Sequence, residues 1–322
     1  MLNDSFGRRF HYLRLSITDV CNYRCDYCLP DGYQGGKPSG FLSPAEIETV
    51  VGAFASLGTH KIRLTGGEPS LRKDVPDIIQ RIHAHPDIHH IGMTTNGFSL
   101  EKSVDTWADC GLDSVNISID SLDPKMFNAI TGHNHLPQIL RGIDRALSLG
   151  IKVKVNVVLM KTINHSALQR FLAWIKALPI TLRFIELMQT GDNQRLFDRE
   201  HVSGQPIKAR LLEDGWLPFL RDKAAGPAEE FYHTESAGRI GLIMPYSKDF
   251  CASCNRLRLS ATGKLHLCLF AEQGLDLRDT IRAGDVDALA SQLEQLLGDK
   301  QASHYLDAGF TGATQHLAMI GG

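Results

Sequence analysis

The sequence carries little excess charge of either sign and has no long apolar run. Its 322 residues include 34 lysines and arginines against 36 aspartates and glutamates, which gives a net charge of −2. So small a net charge provides no overall field that would hold nucleic acid or an anionic membrane. No apolar stretch approaches the roughly 20 residues of a membrane-spanning helix. We therefore expect neither a nucleic-acid partner nor a membrane partner.

Other features are missing as well. The first residues lack the basic and then apolar pattern of a secretory signal peptide. Seven cysteines, an odd number, argue against a framework of disulfides, and we expect a cytoplasmic protein. The chain also has no P-loop motif, so a nucleoside triphosphate would have to be held by basic side chains on or near strands.

The first 190 residues alternate between strand-like and helix-like stretches. The strand-like stretches are apolar and rich in β-branched residues, as buried parallel strands should be: 12–18, 61–65, 90–95, 114–119, 152–160 and 182–187. The helix-like stretches have apolar residues near helical spacing: 43–57, 74–85, 100–110, 138–149 and 166–177. Six strand–helix units in succession predict a parallel sheet with right-handed crossovers.

Polar and glycine-rich residues follow the carboxyl end of each predicted strand, where barrel enzymes place their chemistry. We therefore predict an α/β fold with an incomplete (β/α)6 TIM-like barrel over residues 1–190 and a C-terminal extension over 191–322. Six units would leave the barrel open on one side for a large substrate. Within the extension, the pattern predicts a polar loop at 191–204, short strands at 230–234, 240–246 and 257–269, with a turn at Gly263 and Lys264 in the last, and a helix over 285–306.

Six of the seven cysteines fall into two tight triplets, which indicates bound metal. Cys21, Cys25 and Cys28 form a CxxxCxxC loop after the first predicted strand. Iron–sulfur clusters usually have four thiolate ligands, so three thiolates leave one iron with an open coordination position. S-adenosylmethionine (SAM) can fill that position with its amino and carboxylate groups. The alternative is a structural zinc site with a distant fourth ligand, although zinc sites usually use two separated ligand pairs.

The second triplet consists of Cys251, Cys254 and Cys268. It also lacks a fourth cysteine, because Cys110 lies on a predicted helix of the barrel half. His266 is two residues from Cys268 and lies on the same face of the predicted strand. A zinc site with three cysteines and one histidine therefore competes here with a second iron–sulfur cluster.

The surroundings of the first triplet resemble the radical SAM superfamily. Tyr27, directly before Cys28, matches the aromatic residue that contacts the adenine of SAM in that superfamily. Residues 66–69, Gly-Gly-Glu-Pro, match the motif whose backbone holds the SAM amino group. From the residues alone, paired glycines indicate only that the backbone closely approaches another group.

The segment 250–270 and the final Gly321-Gly322 closely resemble the GTP 3′,8-cyclase family of molybdenum cofactor biosynthesis. The resemblance covers the chain from Arg14 to Gly322, with both triplets, the glycine loop and the tail in order. It implies two [4Fe–4S] clusters, SAM as cofactor, GTP as substrate and an external electron donor. It also implies a downstream cyclic pyranopterin monophosphate synthase that acts on the product.

The same resemblance assigns individual residues. The implied GTP contacts are Arg14, Arg63, Thr94, Lys154, Arg256, Leu257 and Arg258. The implied SAM contacts are Tyr27, Gly67, Ser118 and Met188. The implied catalytic residues are Arg256, Arg258, Gly321 and Gly322, with the tail entering the active site. The charges suit a nucleotide, because a triphosphate bears about four negative charges and arginine forks pair with phosphate oxygens two at a time.

The family's reaction begins with one electron passing from the first cluster to SAM, which releases a 5′-deoxyadenosyl radical. The radical takes hydrogen from the ribose 3′ carbon of GTP, and the sugar radical adds to guanine carbon 8. The product is (8S)-3′,8-cyclo-7,8-dihydroguanosine 5′-triphosphate, which makes the enzyme a lyase. From the residues alone, two alternatives stay open: a radical SAM enzyme acting on a peptide or tRNA, and a zinc-binding structural or nucleic-acid module. The oligomeric state is also open, with a homodimer as one arrangement.

Overall fold

The computed structural model describes residues 1–35, 40–164, 167–220, 225–248, 250–312 and 320. The strands in these ranges are β1 (Tyr12–Ser16), β2 (Lys61–Thr65), β3 (His90–Thr95), β4 (Ser114–Ser118), β5 (Lys152–Leu159), β6 (Thr181–Glu186), β7 (Leu217–Phe219), β8 (Glu229–Tyr232), β9 (Arg239–Ile243), β10 (Arg256–Leu259), β11 (Lys264–His266) and β12 (Leu275–Asp276). The α-helices are α1 (Pro44–Ser56), α2 (Val75–His83), α3 (Leu100–Asp109), α4 (Pro124–Thr131), α5 (Leu136–Ser148), α6 (Leu168–Ile175), α7 (Gln194–Glu200), α8 (Gln205–Glu213), α9 (Arg278–Ala283) and α10 (Val286–Leu297).

All twelve strands belong to one sheet with the order β12-β11-β10-β1-β2-β3-β4-β5-β6-β9-β8-β7. The strands from β1 to β6 are parallel to their neighbours, which confirms the predicted barrel of strand–helix units. β10 continues the parallel run beside β1, and β9 continues it beside β6. Strands from 191–322 therefore extend both edges of the predicted barrel. The division between residues 190 and 191 stays a prediction.

Side chains on the parallel strands alternate between two environments, as strand geometry requires. On β1, Leu13 and Leu15 are fully buried in the apolar core, whereas Tyr12 and Arg14 line an internal cavity. The predicted apolar side chains therefore occupy one face of the strands, while the other face carries polar and basic side chains. The inner positions are polar because they border a cavity, while the outer positions pack against the helices.

The beginning of α1 follows local chemistry. Ser43 precedes the helix, and Pro44 occupies its first position, where no intrahelical N–H bond is lost. The Ser43 side chain accepts a hydrogen bond from the Glu46 N–H, and the Glu46 carboxylate accepts one from the Ser43 N–H at 2.8 Å. This reciprocal pair is a capping box, which fixes the first turn of the helix.

The structure corrects several predictions in the extension. The polar loop expected at 191–204 contains α7, and the helix expected over 285–306 ends at Leu297, directly before Gly298. The hairpin predicted within 257–269 is confirmed as the antiparallel pair β10–β11. Gly263 occupies its turn with a positive φ of 86°, but Lys264 already belongs to β11. Within the described ranges, no helix is both long enough and apolar enough to cross a membrane.

Candidate active site

A cavity of about 510 Å³ lies against the inner face of the parallel strands. Its lining is strongly basic. The cationic residues on its wall are Arg14, Lys61, Arg63, Lys152, Lys154, Arg183, Arg256 and Arg258. Among the described lining residues, Glu230 is the sole carboxylate, and it lies 3.4 Å from the Arg183 guanidinium. An anionic molecule is therefore the ligand that this wall favours.

The sheet register places the arginines side by side. Arg14 on β1 is the register partner of Arg63 on β2 and also of Arg258 on β10. Arg256 lies two residues from Arg258 on the same strand and lines the same cavity. The structure thus brings together five of the residues predicted to bind GTP, namely Arg14, Arg63, Lys154, Arg256 and Arg258.

Two predicted GTP contacts are placed differently. Leu257 is 2% exposed and belongs to the apolar core, because it alternates with Arg256 and Arg258 along β10. Its side chain therefore points away from the cavity. Thr94 is absent from the described cavity wall, but it is the register partner of Asn116, which lines the cavity. The Thr94 hydroxyl is buried and has no hydrogen-bond partner in the described part of the chain.

Like charges crowded in a buried space shift the pKa values of this wall. Burial, and then the nearby arginines Arg183 and Arg63, lower the pKa of Lys154 to about 6. Burial likewise lowers the pKa of Arg14 to about 10, with Arg63 and Arg256 adding to the effect. Desolvation and like-charge repulsion both disfavour the cationic forms. A bound anion would relieve both effects.

The pKa of Tyr12 is also lowered, but here the neighbouring cations favour the charged form. Burial raises the pKa of its phenol, but Arg63, Arg14 and Lys61 outweigh burial and lower it to about 7. The Arg63 Nε donates a hydrogen bond of 2.6 Å to the Tyr12 hydroxyl. A tyrosine on this wall can therefore carry part of the negative charge that the arginines favour.

Sequence reasoning missed other wall residues, which are Tyr12, Lys61, Asn116, Lys152, Asn156 and Arg183. The pairs Lys61–Arg63 and Lys152–Lys154 show the same two-residue spacing as Arg256–Arg258, and that signal could have identified both lysines. The side-chain oxygens of Asn116 and Asn156 are buried and unpartnered among the described residues. Nothing in the sequence distinguishes these asparagines from ordinary strand residues.

The first cysteine triplet lies in the loop after β1. The Cys28 N–H donates to the Cys25 carbonyl at 2.9 Å, and the Tyr23 N–H points to the Cys21 sulfur at 3.5 Å. Burial raises the pKa of the Cys25 thiol well above its ordinary value, and Asp120, Cys28 and Cys21 add to the effect. The three thiols therefore lie close enough to influence one another electrostatically.

The glycine pair at 66–67 packs against the start of this loop. A Cβ added to Gly67 would lie 2.3 Å from the Val20 carbonyl oxygen, so a side chain there is excluded. The close approach that the glycines indicated is therefore made to the chain's own backbone. Glu68, fully buried, accepts hydrogen bonds from the Thr95 hydroxyl and the Asn96 N–H, both at 2.7 Å. The motif thus fixes the cysteine loop to the carboxyl ends of β2 and β3.

Tyr27 is held in a similar way. Its hydroxyl donates a hydrogen bond of 2.7 Å to the buried carboxylate of Asp120, which also accepts one of 2.8 Å from the Val158 N–H. Ser118 ends β4, and Met188 lies on the cavity wall after β6. The predicted SAM contacts Tyr27, Gly67, Ser118 and Met188 therefore all follow or end parallel strands. Carboxyl ends of parallel strands share one edge of a sheet.

All three cysteines of the second triplet line the cavity, on the same wall as Arg256 and Arg258. None is in a disulfide, and each is half-buried. Burial acts to raise the pKa of Cys254, but Arg256, Lys300 and Arg8 outweigh it and lower the pKa. Cations that favour a thiolate suit a metal ligand. The described residues contain no group of three or more His, Cys, Asp or Glu side chains placed to hold a single metal ion.

The alternative of a zinc site at the second triplet requires His266 as the fourth ligand. This imidazole is absent from the described cavity wall, and burial together with Arg258 and Lys264 lowers its pKa to about 4. Cys110 follows α3 and also lies away from the described wall.

Gly321 and Gly322 lie outside the described residues. Ile320, directly before them, is 2% exposed, and its carbonyl accepts a hydrogen bond of 3.0 Å from Arg258 Nη1. The described chain therefore returns at Ile320 to an arginine of the cavity wall.

Two family models together match most of the chain. Residues 15–175 match the radical SAM superfamily model, and residues 180–306 match the model described as Molybdenum Cofactor Synthesis C. The GTP 3′,8-cyclase of Vibrio vulnificus strain CMCP6 is 56% identical over 99% of this chain and 97% of its own length. The GTP 3′,8-cyclase of Shewanella denitrificans is 54% identical over 100% of this chain and 96% of its own length.

A solved structure agrees at the level of fold. Streptococcus suis SuiB bound to S-adenosylmethionine superposes with a TM-score of 0.62, covering 89% of this chain and 68% of SuiB, at 12% identity. At that identity the likeness concerns the fold alone. The relatives, by contrast, share more than half of their residues with this chain along almost its full length. The chain therefore belongs to the GTP 3′,8-cyclase family of the radical SAM superfamily.

Proposed function

We propose that this chain is a radical SAM GTP 3′,8-cyclase, a lyase that converts GTP to (8S)-3′,8-cyclo-7,8-dihydroguanosine 5′-triphosphate in the first step of molybdenum cofactor biosynthesis. One observation carries the proposal: the basic strand wall and the second cysteine triplet border the same cavity. The wall suits a triphosphate, whose oxygens pair with guanidinium forks. A cluster beside that wall would meet the other end of the same nucleotide.

The cofactors of the proposal are SAM and two [4Fe–4S] clusters. Cys21, Cys25 and Cys28 would hold the first cluster, and Cys251, Cys254 and Cys268 the second. In each triplet three free thiols fit a cluster that keeps one iron open to an outside ligand. When bound, the first cluster and SAM supply the radical that takes a hydrogen atom from the ribose of GTP. An external donor would supply electrons, and a downstream cyclic pyranopterin monophosphate synthase would take the product.

The chain's own residues would position the substrate. Arg14, Arg63 and Lys154 would neutralise the phosphates, and their strands hold them in fixed register. Arg256 and Arg258 would orient the part of GTP nearest the second triplet. The unpartnered Thr94 hydroxyl offers a hydrogen bond to the ligand. Enclosure between the sheet and the C-terminal loops would keep water away from a reactive intermediate.

The direct test is anaerobic incubation of the reconstituted protein with GTP, SAM and dithionite, followed by chromatography and mass analysis. We expect 5′-deoxyadenosine and methionine together with a new compound that has the mass of GTP, because the hydrogen atom that leaves with 5′-deoxyadenosine is replaced by an electron from the donor and a proton from solvent. Replacing GTP by ATP should abolish the new compound. Cleavage of SAM with no consumption of GTP would overturn the proposal and favour a peptide or tRNA substrate.

A further inference from the structure

The segment 300–304 lies against the second cysteine triplet, and its last residue, His304, also lines the cavity. Its Ser303 hydroxyl donates to the Cys251 sulfur at 3.8 Å, a hydrogen-bond distance for sulfur. Its Lys300 ammonium donates to the Leu267 carbonyl, one residue before Cys268. One short segment thus contacts both cysteine-bearing stretches of the triplet.

Lys300 is unusual because it is buried without a carboxylate. The residue is 4% exposed, and its ammonium contacts the Leu267 carbonyl and lies 5.2 Å from the centre of the Phe10 ring. In the part of the chain that the structure describes, it makes no ion pair with an aspartate or glutamate. A buried cation without a negative partner is strongly unfavourable. Its position therefore requires a nearby negative charge, and no carboxylate among the described residues supplies it.

A neighbouring arginine, Arg8, does not add a net positive charge beside the second triplet. Arg8 is also buried, but its Nε forms an ion pair of 2.6 Å with Asp4. Its Nη1 donates to the carbonyls of Cys251 and Ala302, and its Nη2 donates to the carbonyl of Gln301. Arg8 therefore joins the N-terminal residues, the segment 300–304 and the cysteine loop without adding net charge.

The first triplet has the opposite surroundings. Two buried carboxylates lie near it: Glu68, whose N–H donates to the Val20 carbonyl directly before Cys21, and Asp120, which accepts a hydrogen bond of 2.7 Å from the Tyr27 hydroxyl. The second triplet instead faces Lys300 and a hydroxyl donor. Nearby charge and hydrogen bonds to sulfur are two of the means by which a protein sets the reduction potential of an iron–sulfur cluster.

We infer that Lys300 and Ser303 tune the second cluster: the Lys300 ammonium is its buried counter-charge, and the Ser303 hydroxyl is a hydrogen-bond donor to its Cys251 ligand. Both groups stabilise added negative charge, so both raise the cluster's reduction potential. They are positioning and electrostatic residues that need not touch GTP. This inference rests on the proposed second cluster.

The test is a potentiometric titration of the full chain with both clusters bound and no GTP present. Electron paramagnetic resonance monitors the reduction of each cluster. The signal that changes when SAM is added identifies the first cluster. Lys300→Met should shift the midpoint potential of the other cluster to a more negative value and leave the first unchanged. Lys300→Arg should restore most of the shift, since it returns the charge. Ser303→Ala should shift the same potential in the same direction by a smaller amount.

The control is Lys264→Met, which removes an equal charge from an exposed position on β11 and should move neither potential.

Iron analysis distinguishes failure of the second cluster from failure of this inference. If the unaltered protein holds about four irons instead of about eight, the second cluster and this inference both fail. If it holds about eight and neither Lys300→Met nor Ser303→Ala shifts the potential, the inference alone is overturned. If Lys300→Met fails to keep its iron, Ser303→Ala, which removes a single hydroxyl, decides the outcome.

Discussion

Lys154 shows at the scale of one residue how the cavity prepares for an anion. Its side chain extends from β5 into a wall of other cations, and its pKa is lowered to about 6 by burial and by Arg183, Arg63 and Lys61. Near neutral pH the empty cavity therefore holds a mostly uncharged amine. A bound triphosphate would favour the ammonium and raise this pKa.

The difference between the pKa of Lys154 in the empty cavity and its pKa beside a triphosphate predicts that GTP binding takes up protons. Because the pKa of Lys154 is lower in the empty cavity than beside a triphosphate, the complex binds more protons above pH 6, and GTP affinity should fall as pH rises. At pH 8 we expect GTP binding to take up at least about one proton, because the anionic ligand raises the pKa of Lys154 and also that of Tyr12, which is about 7 in the empty cavity. Calorimetry in buffers of different ionisation enthalpy measures this number. Lys154→Met should reduce it, Lys264→Met should not, and equal uptake by all three proteins would contradict the assignment.

Arg14 gives a second prediction at the residue scale. It lies between Arg63 and Arg258 in the register, so it would contact phosphate from the middle of the wall. Arg14→Ala should weaken GTP binding by about 1.5–3 kcal/mol, the range for hydrogen bonds to charged groups. SAM binding should hardly change. Arg141→Ala, on the outside of α5, is the matched control, and an equal loss of SAM and GTP affinity would assign Arg14 to support of the barrel instead.

At the scale of elements, local patterns identified the barrel but not how the extension joins it. The bounds of β1 to β6 agree with the predicted stretches to within two residues, because their apolar runs end at polar or glycine-rich residues. β9 and β10 also fall in or beside predicted strands. Their partners, β6 and β1, could not be predicted, because strand pairing over such separations depends on tertiary packing that periodicity does not encode.

Helices α4, α7, α8 and α9 were missed for another reason. They are short, and the sequence around α7 is polar enough to be taken for a loop. For the site, cysteine spacing located both triplets, and alternation located the Arg256–Arg258 face. The inner asparagines and the burial of Lys300 emerged only from the folded arrangement, since a single polar residue carries no periodic signal.

The cysteine loops provide the prediction at this scale. Replacing Cys251, Cys254 and Cys268 together by alanine should halve an iron content of about eight per chain and leave some SAM cleavage, because the first triplet lies in a different loop. Replacing Cys21, Cys25 and Cys28 should also halve the iron and abolish SAM cleavage. Cys110→Ser should change neither quantity. Stoichiometric zinc in place of the second four irons would contradict the two-cluster account.

Considered as a whole molecule, the protein gathers distant parts of the chain around one cavity. Arg8 connects the first residues to the loop of Cys251, and Arg258 connects the cavity wall to Ile320. The approach of Ile320 supports the hypothesis that Gly321 and Gly322 take part in the radical step. Glycine has no side chain, so these two residues could enter a narrow space.

Deletion of Gly321 and Gly322 tests that hypothesis. The truncated protein should keep its fold, about eight irons and SAM binding, because both cysteine triplets lie in other parts of the chain. It should cleave SAM without producing the cyclised nucleotide. Iron analysis and chromatography of the reaction mixture measure both outcomes. Full product formation by the truncated protein would show that the tail has no role in the reaction.

The most direct test of the central claim is the fate of the hydrogen atom on the ribose 3′ carbon. The reconstituted protein would be incubated anaerobically with SAM, dithionite and GTP carrying deuterium at that carbon, and the 5′-deoxyadenosine would be analysed by mass spectrometry. The account predicts one deuterium in the 5′-deoxyadenosine, formed together with a cyclised product that has lost it. Unlabelled 5′-deoxyadenosine accompanied by unchanged labelled GTP would contradict the account.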